Sequence, residues 1–417
     1  MKENLIPLEK ALELILDNII VLGLEKVDLI SSLGRVIGED IYASRAIPPW
    51  DNSAMDGYAV KYKDIDSVSS QKPEFLTVVE NLAAGYHSDR ILKNGEAIKI
   101  MTGAPIPSGA DTVVMVEDTE QEGSRVKIFI SPKSGENTRK AGEDVKKGDL
   151  VISRDSLIGP AEVGMMASLG RSFIHVFQKP QVAILSTGDE LVDVDGKTGR
   201  DKIINSNSYT LATQTKECGA IAIQLGIAQD RKEDLEKKLG QGIRADMIIS
   251  SGGVSVGDYD FVKDVLKKMG MEMKFWNVAM KPGKPLAFGT IFGKPTFGLP
   301  GNPVSSMISF EQFVRPALLK MLGHKKIYRP VVDAIITENI EKKTGRKNFI
   351  RARLTSRNGA YHVNSTGEQG SGILLSMVKA NGLIILPEET SRVRAGETVK
   401  VQLLDKSFTL SEKPNYP

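Results

Sequence analysis

The sequence predicts a multidomain protein of the α/β plus β class, in which one domain has a parallel sheet and others are rich in β-structure. Three observations carry this prediction. The chain has 417 residues, too many for one hydrophobic core, so several domains are expected. After residue 180, strand and helix patterns alternate, which is typical of a parallel sheet covered by helices. On either side of that segment, Gly, Pro and Asn separate short β-like runs.

The first part of the chain combines one helix with a β-rich segment. A helix is predicted over 7–22, because Pro7 suits a first helical position and apolar residues recur at helical spacing from Leu8. A short helix stopped by Gly170 and then a strand are predicted over 160–177. The β-like runs between these helices lie at 75–79, 97–101, 112–116 and 126–130.

The second part predicts the α/β domain and a C-terminal β-domain. The Leu-Pro-Gly-Asn-Pro stretch at 299–303 introduces a helix that runs to about 322. A compact barrel or sandwich is expected after it. The predicted α/β strands lie at 182–186, 220–227, 247–250 and 273–278, and the helices near 207–218, 231–240 and 259–269. The predicted C-terminal strands lie at 331–337, 349–354, 360–364, 383–386 and 399–404.

Composition excludes several classes of function. The formal net charge is +3, which predicts no strong attraction to nucleic acid or to a membrane surface. Cys218 is the only cysteine, so neither an internal disulfide nor a thiolate metal cluster is expected. The first residues lack a signal-peptide core and no uncharged run approaches 18 residues, which predicts a cytoplasmic protein.

A glycine-rich loop follows a predicted strand at 248–257 and is the most informative local feature. Its sequence, Ile-Ile-Ser-Ser-Gly-Gly-Val-Ser-Val-Gly, runs from an apolar strand into small residues. Glycines let a backbone approach a ligand closely and direct several N–H groups at one anion. A tight strand-to-helix turn is the structural alternative. The loop alone is therefore not sufficient evidence for a ligand site. Together with other segments of the same kind, it predicts ligand contacts from Gly252, Gly253 and Ser255.

Carboxylates follow three of the predicted strands. Glu190, Asp230 and Asp260 each stand just beyond a strand's carboxyl end, where open α/β sheets bind ligands. A single acid there could be a helix cap. Several acids at one edge favour Mg²⁺, which takes few carboxylate ligands and leaves room for phosphate oxygens.

Other loops supply countercharges and polar groups. Met-Lys-Pro-Gly-Lys-Pro at 280–285 presents Lys281 and Lys284 from a stiff backbone. Three loops of the β-rich segment carry Asp56, Thr102 and Asp144. In the first of these loops, Asp51 and Asn52 could simply cap turns, so a structural role is the alternative for that fragment. The set describes a site for an anionic phosphorylated ligand. Neither a P-loop nor a dinucleotide-binding fingerprint is present in the sequence.

These segments together resemble the molybdopterin molybdenumtransferase family, which comprises the MoeA proteins and the E domain of gephyrin. The similarity spans nearly the whole chain, in order. The stretches that carry it are Asp-Asn-Ser-Ala-Met-Asp-Gly-Tyr-Ala-Val at 51–60, Met-Thr-Gly-Ala-Pro at 101–105, Gly-Glu-Asp at 142–144, Ser-Thr-Gly-Asp-Glu-Leu at 186–191, Ser-Ser-Gly-Gly-Val-Ser-Val-Gly at 250–257, Met-Lys-Pro-Gly-Lys-Pro at 280–285, Gly-Leu-Pro-Gly-Asn-Pro-Val-Ser at 298–305 and Thr-Gly-Glu-Gln-Gly-Ser at 366–371.

The resemblance implies an elongated homodimer with four domains. It implies an α/β domain related to molybdopterin adenylyltransferases at 1–23 and 178–325, and a linker domain at 24–46 and 146–177. It also implies a β-rich domain at 47–145 and a C-terminal β-barrel at 326–408. The implied reaction inserts molybdate into adenylated molybdopterin, with Mg²⁺-dependent cleavage of the pyrophosphate link and release of AMP. A molybdopterin adenylyltransferase is the implied upstream partner, with molybdoenzyme apoproteins or chaperones as further partners.

The family's functional positions map onto named residues of this chain. The resemblance implies catalytic roles for Asp56, Asp144, Glu190, Asp230, Asp260 and Lys281, with Glu190 and Asp260 as metal ligands. It implies substrate binding by Thr102, Gly252, Gly253, Ser255, Pro300, Asn302, Pro303, Arg351 and Ser371. One departure is Asn277, where relatives often have lysine, so a positive charge near the site is lost. If Asp56 and Glu190 act on one ligand, the cleft forms between domains or across the dimer.

Two other functions remain open at this point. The first is a molybdopterin adenylyltransferase, for which the α/β segment alone would be sufficient. Such an enzyme would need neither the β-rich segment nor the C-terminal barrel, so these segments argue against it. A non-catalytic scaffold, a role that gephyrin also has, is disfavoured by the intact set of acids. The sequence does not distinguish molybdate from tungstate. Arg351, on a predicted strand, has the further alternative of an ordinary surface arginine.

Overall fold

The chain divides into two compact units in this computed structural model, which describes residues 5–253, 261–357 and 359–405 and, within them, no side chains at 261–263. The larger unit contains Met1–Lys26, Gly34–Gly38 and His175–Pro417. The smaller unit contains Val27–Leu33 and Glu39–Ile174. The boundaries of the four expected domains stay a prediction.

The helices agree with the apolar patterns of the sequence. In the first helix, Leu8, Ala11 and Ile15 are buried at the spacing of one helical face. A π-helical turn at Phe310–Val314 joins two helices where one continuous helix was predicted. In the described part of the chain, no helix has the length and apolar character needed to cross a membrane. The α-helices are α1 (Leu8–Asp17), α2 (Pro160–Ser168), α3 (Ser206–Glu217), α4 (Lys232–Gly242), α5 (Phe261–Lys268), α6 (Pro303–Ser309), α7 (Arg315–Met321) and α8 (Leu375–Lys379), with 3-10 turns at Ile30–Ser32, Tyr62–Asp64 and Val116–Asp118.

The strands of the first 177 residues include those of the predicted β-rich segment. They are β1 (Leu24–Asp28), β2 (Ile41–Tyr42), β3 (Asn52–Ser53), β4 (Gly57–Val60), β5 (Glu74–Leu82), β6 (Glu96–Ile100), β7 (Thr112–Met115), β8 (Thr119–Glu122), β9 (Arg125–Ile128), β10 (Thr138–Arg139), β11 (Leu150–Ile152) and β12 (Phe173–Phe177). Six of them form one sheet in the order β7-β4-β6-β5-β9-β8. Apolar residues are buried on both of its faces, for example Val114 on one and Val113 on the other.

A six-stranded sheet forms the centre of the α/β region. The described part of this region has nine strands, which are β13 (Gln181–Thr187), β14 (Leu191–Val192), β15 (Ile203–Ile204), β16 (Ile221–Ala228), β17 (Met247–Ser251), β18 (Met271–Trp276), β19 (Met280–Lys281), β20 (Ala287–Ile291) and β21 (Lys294–Leu299). Six of them form the sheet, while β14 and β15 pair only with each other and β19 joins the barrel. The order is β16-β13-β17-β21-β20-β18, and the first four strands are parallel. β20 and β18 extend the sheet in antiparallel fashion.

Helices cover both faces of this sheet, as the βαβ pattern predicts. One core contains Ile184, Leu211, Phe297 and Val304, and so joins the sheet to α3 and α6. The other contains Leu185 and Leu239 and joins the sheet to α4. Because both faces are buried, the open positions for a ligand are the loops at the strand ends.

The C-terminal strands close into a barrel, as predicted. Hydrogen bonds run in the order β24-β25-β22-β28-β26, and β26 pairs again with β24, which closes a ring of five strands. β19 of the α/β region adds to β24 in parallel, with Lys281 opposite Asn348. The strands are β22 (Val331–Ile336), β23 (Ile340–Glu341), β24 (Lys347–Arg357), β25 (Ala360–Ser365), β26 (Gly382–Leu386), β27 (Arg392–Val393) and β28 (Thr398–Leu403).

Candidate functional site

The four parallel strands end at one edge of the sheet, and the loops that follow them enclose a cavity of about 740 Å³. We call it the strand-end cavity. It brings together seven of the predicted residues, from loops that lie far apart in sequence. Its lining includes Gly188, Glu190, Asn205, Ser206, Asn207, Asp230, Ser251, Gly252, Gly253, Pro300, Gly301, Asn302, Pro303 and Gly372.

Gly252 shows why this loop requires glycine. Its φ is +95°, in the left-handed region, and a Cβ there would lie 2.5 Å from the carbonyl oxygen of Thr187. Any other residue would therefore strain the backbone and collide with the end of β13. The Gly252 amide donates to the carbonyl of Leu299 at 3.0 Å, which ties the loop after β17 to the end of β21.

The acids of the strand-end cavity lie against one another. The Asp230 amide donates to Asp189 Oδ1 at 3.0 Å, and the Asp189 amide donates to Asp230 Oδ2 at 3.3 Å. Burial, and then the charges of Asp189 and Glu190, raise the pKa of Asp230. Within the described residues, no Lys or Arg side chain forms an ion pair with Glu190 or Asp230, and none lines the cavity. The site therefore concentrates negative charge and is suited to a cation.

The loop after β21 forms the opposite wall. Pro300 is buried, Asn302 is exposed, and Pro303 begins α6. The amide of Val304 donates to the carbonyl of Ser371 at 3.1 Å, so the 366–371 loop of the barrel region reaches this wall. Ser371 itself is half-buried, and its neighbour Gly372 lines the cavity. The structure thus places Ser371 beside the strand-end cavity.

Two asparagines of this cavity went unpredicted. Asn205 caps α3 by accepting the Ser208 amide at 3.2 Å and the Ser186 hydroxyl at 3.0 Å. Asn207, in the first turn of the helix, donates to Ser251 Oγ and to the carbonyl of Gly301. The polar run Asn-Ser-Asn-Ser before a helical pattern was the available signal, but it reads equally well as a helix start.

A second cavity, of about 280 Å³, lies where β19 meets the barrel. We call it the barrel cavity. It contains two predicted residues, Lys281 and Arg351. Its lining is charged, with Lys281, Lys342, Arg351, Glu338 and Glu341, and it also includes Asn348 and Gln369.

Arg351 is fully buried, with 1% of its surface exposed, so the alternative of an ordinary surface arginine is wrong. Its Nε donates to Ser376 Oγ and its Nη2 to the carbonyl of Gly370, both at 3.0 Å. Burial lowers the pKa of Arg351 to about 10. No described carboxylate forms an ion pair with it. A buried, uncompensated guanidinium is a strong host for an anion.

Asn277 precedes these groups in an unusual backbone conformation. Its φ is +88°, in a region that asparagine tolerates better than most residues with a side chain. The amide of Asn277 donates to the carbonyl of Leu286, and its carbonyl accepts from the amide of Ile6. The local turn therefore gives a physical reason for asparagine at this position.

The smaller unit holds Asp56, Thr102 and Asp144 on three loops joined by hydrogen bonds. Asp56 Oδ1 accepts from both the amide and the hydroxyl of Thr102 at 2.7 Å. These two bonds, the amide's first, lower the pKa of Asp56. The amide of Asp144 donates to the carbonyl of Ile47, and Asp51 accepts from the amide of Ala141. All three predicted residues are exposed.

Two predicted residues, Ser255 and Asp260, lie outside the described residues, so the expected metal pair of Glu190 and Asp260 stays a prediction. In the described ranges, no group of three or more His, Cys, Asp or Glu side chains could hold a metal ion. Glu190 and Asp230 are the described acids that line a cavity together with the glycine-rich loop.

Three family models match successive parts of the chain. Residues 6–170 match the MoeA N-terminal region (domain I and II). Residues 183–320 match a probable molybdopterin binding domain, and residues 333–404 match the MoeA C-terminal region (domain IV). The strand-end cavity is lined almost entirely by residues of the second match.

Curated and solved relatives extend over almost the whole length. The molybdopterin molybdenumtransferase of Haemophilus influenzae is 38% identical over 91% of this chain and 93% of its own. The Staphylococcus aureus protein of the same name is 33% identical over 99% and 98%. The crystal structure of a molybdopterin biosynthesis moeA protein from Pyrococcus horikoshii OT3 matches with a TM-score of 0.82 at 33% identity, covering 96% of this chain and 100% of that one. The chain belongs to the molybdopterin molybdenumtransferase family.

Proposed function

We propose that this protein inserts molybdate into adenylated molybdopterin, with cleavage of the pyrophosphate link and release of AMP, as a step of molybdenum cofactor biosynthesis. Its membership of the family supports the transferase role. The observation that carries the finer proposal is the pairing of two unlike cavities in one unit. One is lined by acids and glycine amides, and the other contains a buried arginine that pairs with no carboxylate of the described ranges.

The strand-end cavity is the proposed site for the adenylated ligand. Its volume of about 740 Å³ is in the range of cavities that hold a drug-sized molecule. Gly252 and Gly253 supply backbone at the end of β17, and Pro300, Asn302 and Pro303 form the facing wall. Glycine lets a bulky phosphorylated group approach the backbone closely.

Mg²⁺ fits the acids of this cavity. The raised pKa of Asp230 reflects burial and the neighbouring charges of Asp189 and Glu190, which a divalent cation would relieve. Mg²⁺ commonly uses one or two carboxylates and completes its shell with water and phosphate oxygens. Glu190 and Asp230 would hold it, with Asp260 as a further proposed ligand. When bound, it supplies positive charge against the oxygens of the pyrophosphate group.

The barrel cavity is the proposed entry site for molybdate. Molybdate is a dianion of phosphate-like shape, and a guanidinium can bond two of its oxygens at once. Ser376 and Gly370 hold the Arg351 guanidinium in place, and Lys281 adds a second cation. Ser371, one residue after Gly370, is proposed to contribute at the side of the strand-end cavity.

The residues of the smaller unit complete the proposed catalytic set. The two hydrogen bonds from Thr102 hold the Asp56 carboxylate in a fixed orientation, so it would act as a positioning carboxylate. Asp144 is proposed to serve the same reaction. We further propose a cytoplasmic homodimer that receives its substrate from a molybdopterin adenylyltransferase and delivers its product to molybdoenzyme apoproteins or their chaperones.

A direct assay tests the proposal. The protein is incubated with adenylated molybdopterin, molybdate and Mg²⁺, and AMP and the metal content of the pterin product are followed by mass spectrometry. We expect AMP release that depends on both additions. An adenylyltransferase would instead form the adenylated species from molybdopterin and ATP, and a scaffold would do neither. A parallel series with tungstate measures the preference between the two oxyanions.

A further inference from the structure

Asn207 occupies a fixed position in the wall of the strand-end cavity. It lies in the first turn of α3 and has 9% of its surface exposed. Its amide nitrogen donates to the carbonyl of Gly301 at 2.7 Å and to Ser251 Oγ at 2.8 Å. A carbonyl oxygen only accepts hydrogen bonds, so the contact with Gly301 settles which end of the side chain is nitrogen.

The other end of this side chain is the informative one. Asn207 Oδ1 is buried and has no hydrogen-bond partner among the described residues. Thr187, whose Oγ1 is also buried without a described partner, lines the same cavity. A buried acceptor left without a donor is costly, and native structures usually supply one. Here the ligand bound in the strand-end cavity would supply the missing hydrogen-bond donor.

The chemistry of the cavity restricts that donor. Phosphate and carboxylate oxygens only accept, so Asn207 Oδ1 would repel them. A cation is better served by the carboxylates of Glu190 and Asp230 in the same lining. A neutral N–H group of a planar heterocycle meets the requirement, since it donates a hydrogen bond without carrying charge.

We propose that Asn207 is a specificity-determining residue, whose Oδ1 accepts a hydrogen bond from the amino group of an amino-substituted nitrogen heterocycle. The inference rests on the proposed function, which assigns an adenylated pterin to this cavity. Adenine and the pterin ring both carry such an amino group. Either could occupy this position, and the experiment below separates them.

The test compares ligands that differ only in that amino group. Binding of AMP is measured against purine riboside 5′-monophosphate, which lacks the 6-amino group, and pterin against 4-hydroxypteridine, which lacks the 2-amino group. Isothermal titration with Mg²⁺ present gives the dissociation constants. We expect a preference of about 5- to 100-fold for the amino compound in one pair, the range for leaving a buried acceptor unpaired. The pair that shows it identifies the ring bound at Asn207.

Asn207→Ala is expected to remove that preference while the phosphate-dependent part of binding persists. Asn81→Ala, at an exposed asparagine of β5 in the smaller unit, is the matched control and should keep it. If Asn207→Ala fails to fold, the unaltered protein still decides, because equal affinity within both pairs overturns the inference. A preference that survives Asn207→Ala overturns it as well, while leaving the proposed function intact. Failure to bind any of the four compounds overturns the assignment of the cavity, and the inference with it.

Discussion

The strand-end cavity and the barrel cavity lie in the same unit but are lined by opposite chemistry. Among the described residues, the first is lined by two acids, Glu190 and Asp230, and by no basic side chain. The second has three basic side chains and two acids, and one of the bases, Arg351, is fully buried. An acidic cavity can take a phosphorylated ligand only with a cation, whereas a cavity built around a guanidinium takes an oxyanion directly. Under the proposed function, this difference places the metal-dependent step and the oxyanion-dependent step in different cavities.

The largest expected effect is the loss of turnover when an acid of the strand-end cavity is replaced. Glu190→Gln keeps the shape of the side chain and removes its charge, so we expect turnover to fall by about 10²-fold or more, as when a group stabilising transition-state charge is lost. The molybdate concentration at half-maximal rate should change little. AMP release measured against molybdate checks both statements.

Glu233→Gln is the matched control, because Glu233 is an exposed acid in the first turn of α4. It should behave as the unaltered protein does. Normal turnover by Glu190→Gln would remove this carboxylate from the mechanism. It would also contradict the catalytic role proposed for the acids of the strand-end cavity.

The next effect concerns the barrel cavity. Arg351→Ala removes the buried guanidinium, and we expect the half-saturating molybdate concentration to rise by about 10- to 100-fold, the worth of a charge-assisted hydrogen bond. Arg351→Lys should recover only part of the loss, because an ammonium cannot bond two oxygens in the planar manner of arginine. Titration of molybdate against AMP release measures both variants.

Arg353→Ala provides the control on the same strand, since Arg353 is exposed. If Arg351→Ala lowered the maximal rate and left the molybdate dependence unchanged, the barrel cavity would have no role in taking up the oxyanion. The two cavities would then differ in charge but not in function.

The sequence predicted the strand-end cavity better than the barrel cavity. A strand ending in polar residues is a local pattern, so the ends of β13, β16 and β17 were predicted within about two residues. β20 and β21 were missed because glycine and proline interrupt them. Gly289 is required there, since a Cβ would lie 2.5 Å from the carbonyl oxygen of Glu272 on the neighbouring strand.

Residues that act through distant contacts left no local signal. Arg351 came only from the resemblance, because a charged residue in a strand is ordinarily expected to face solvent. Ser376, which holds its guanidinium, lies 25 positions away and went unpredicted. Asn207 needed the positions of Gly301 and Ser251 before its free oxygen could be recognised. Such pairings depend on tertiary packing, which periodicity does not encode.

A smaller effect is expected at Asn277, the position where the resemblance to the family led us to expect lysine. Asn277→Lys must adopt a φ of +88°, so we expect a loss of about 1 kcal/mol in the free energy of unfolding. The added positive charge, four residues before Lys281, should lower the half-saturating molybdate concentration by no more than about fivefold. Urea unfolding and the molybdate titration measure the two effects. Asn277→Gly keeps the backbone without the charge and should show neither, and an unchanged titration for Asn277→Lys would place the residue outside oxyanion binding.

The smallest effect tests the cation requirement by stability alone. The raised pKa of Asp230 means that the folded state holds a proton more tightly than the unfolded chain does. Stability is therefore lost as pH rises from the usual aspartate value of about 3.9 through the raised folded value, and the loss persists at pH 7. Asp230→Asn removes this loss of stability. Without divalent cations at pH 7, we therefore expect the melting temperature of this variant to be about 1 °C higher than that of the unaltered protein. At pH 3, where Asp230 is protonated, the two melting temperatures should be equal.

With Mg²⁺ present, the unaltered protein should have the higher melting temperature of the two. The reason is that Mg²⁺ stabilises the site with two carboxylates more than the site with one. Asp264→Asn supplies a control of opposite sign, since Lys232 lowers the pKa of Asp264 and its replacement should give no rise in melting temperature. The comparison between the cavities would lose its physical basis if Asp230→Asn and the unaltered protein gained equally from Mg²⁺. In that case these acids would not form a cation site, and the charge that the phosphorylated ligand needs would have to come from elsewhere in the chain.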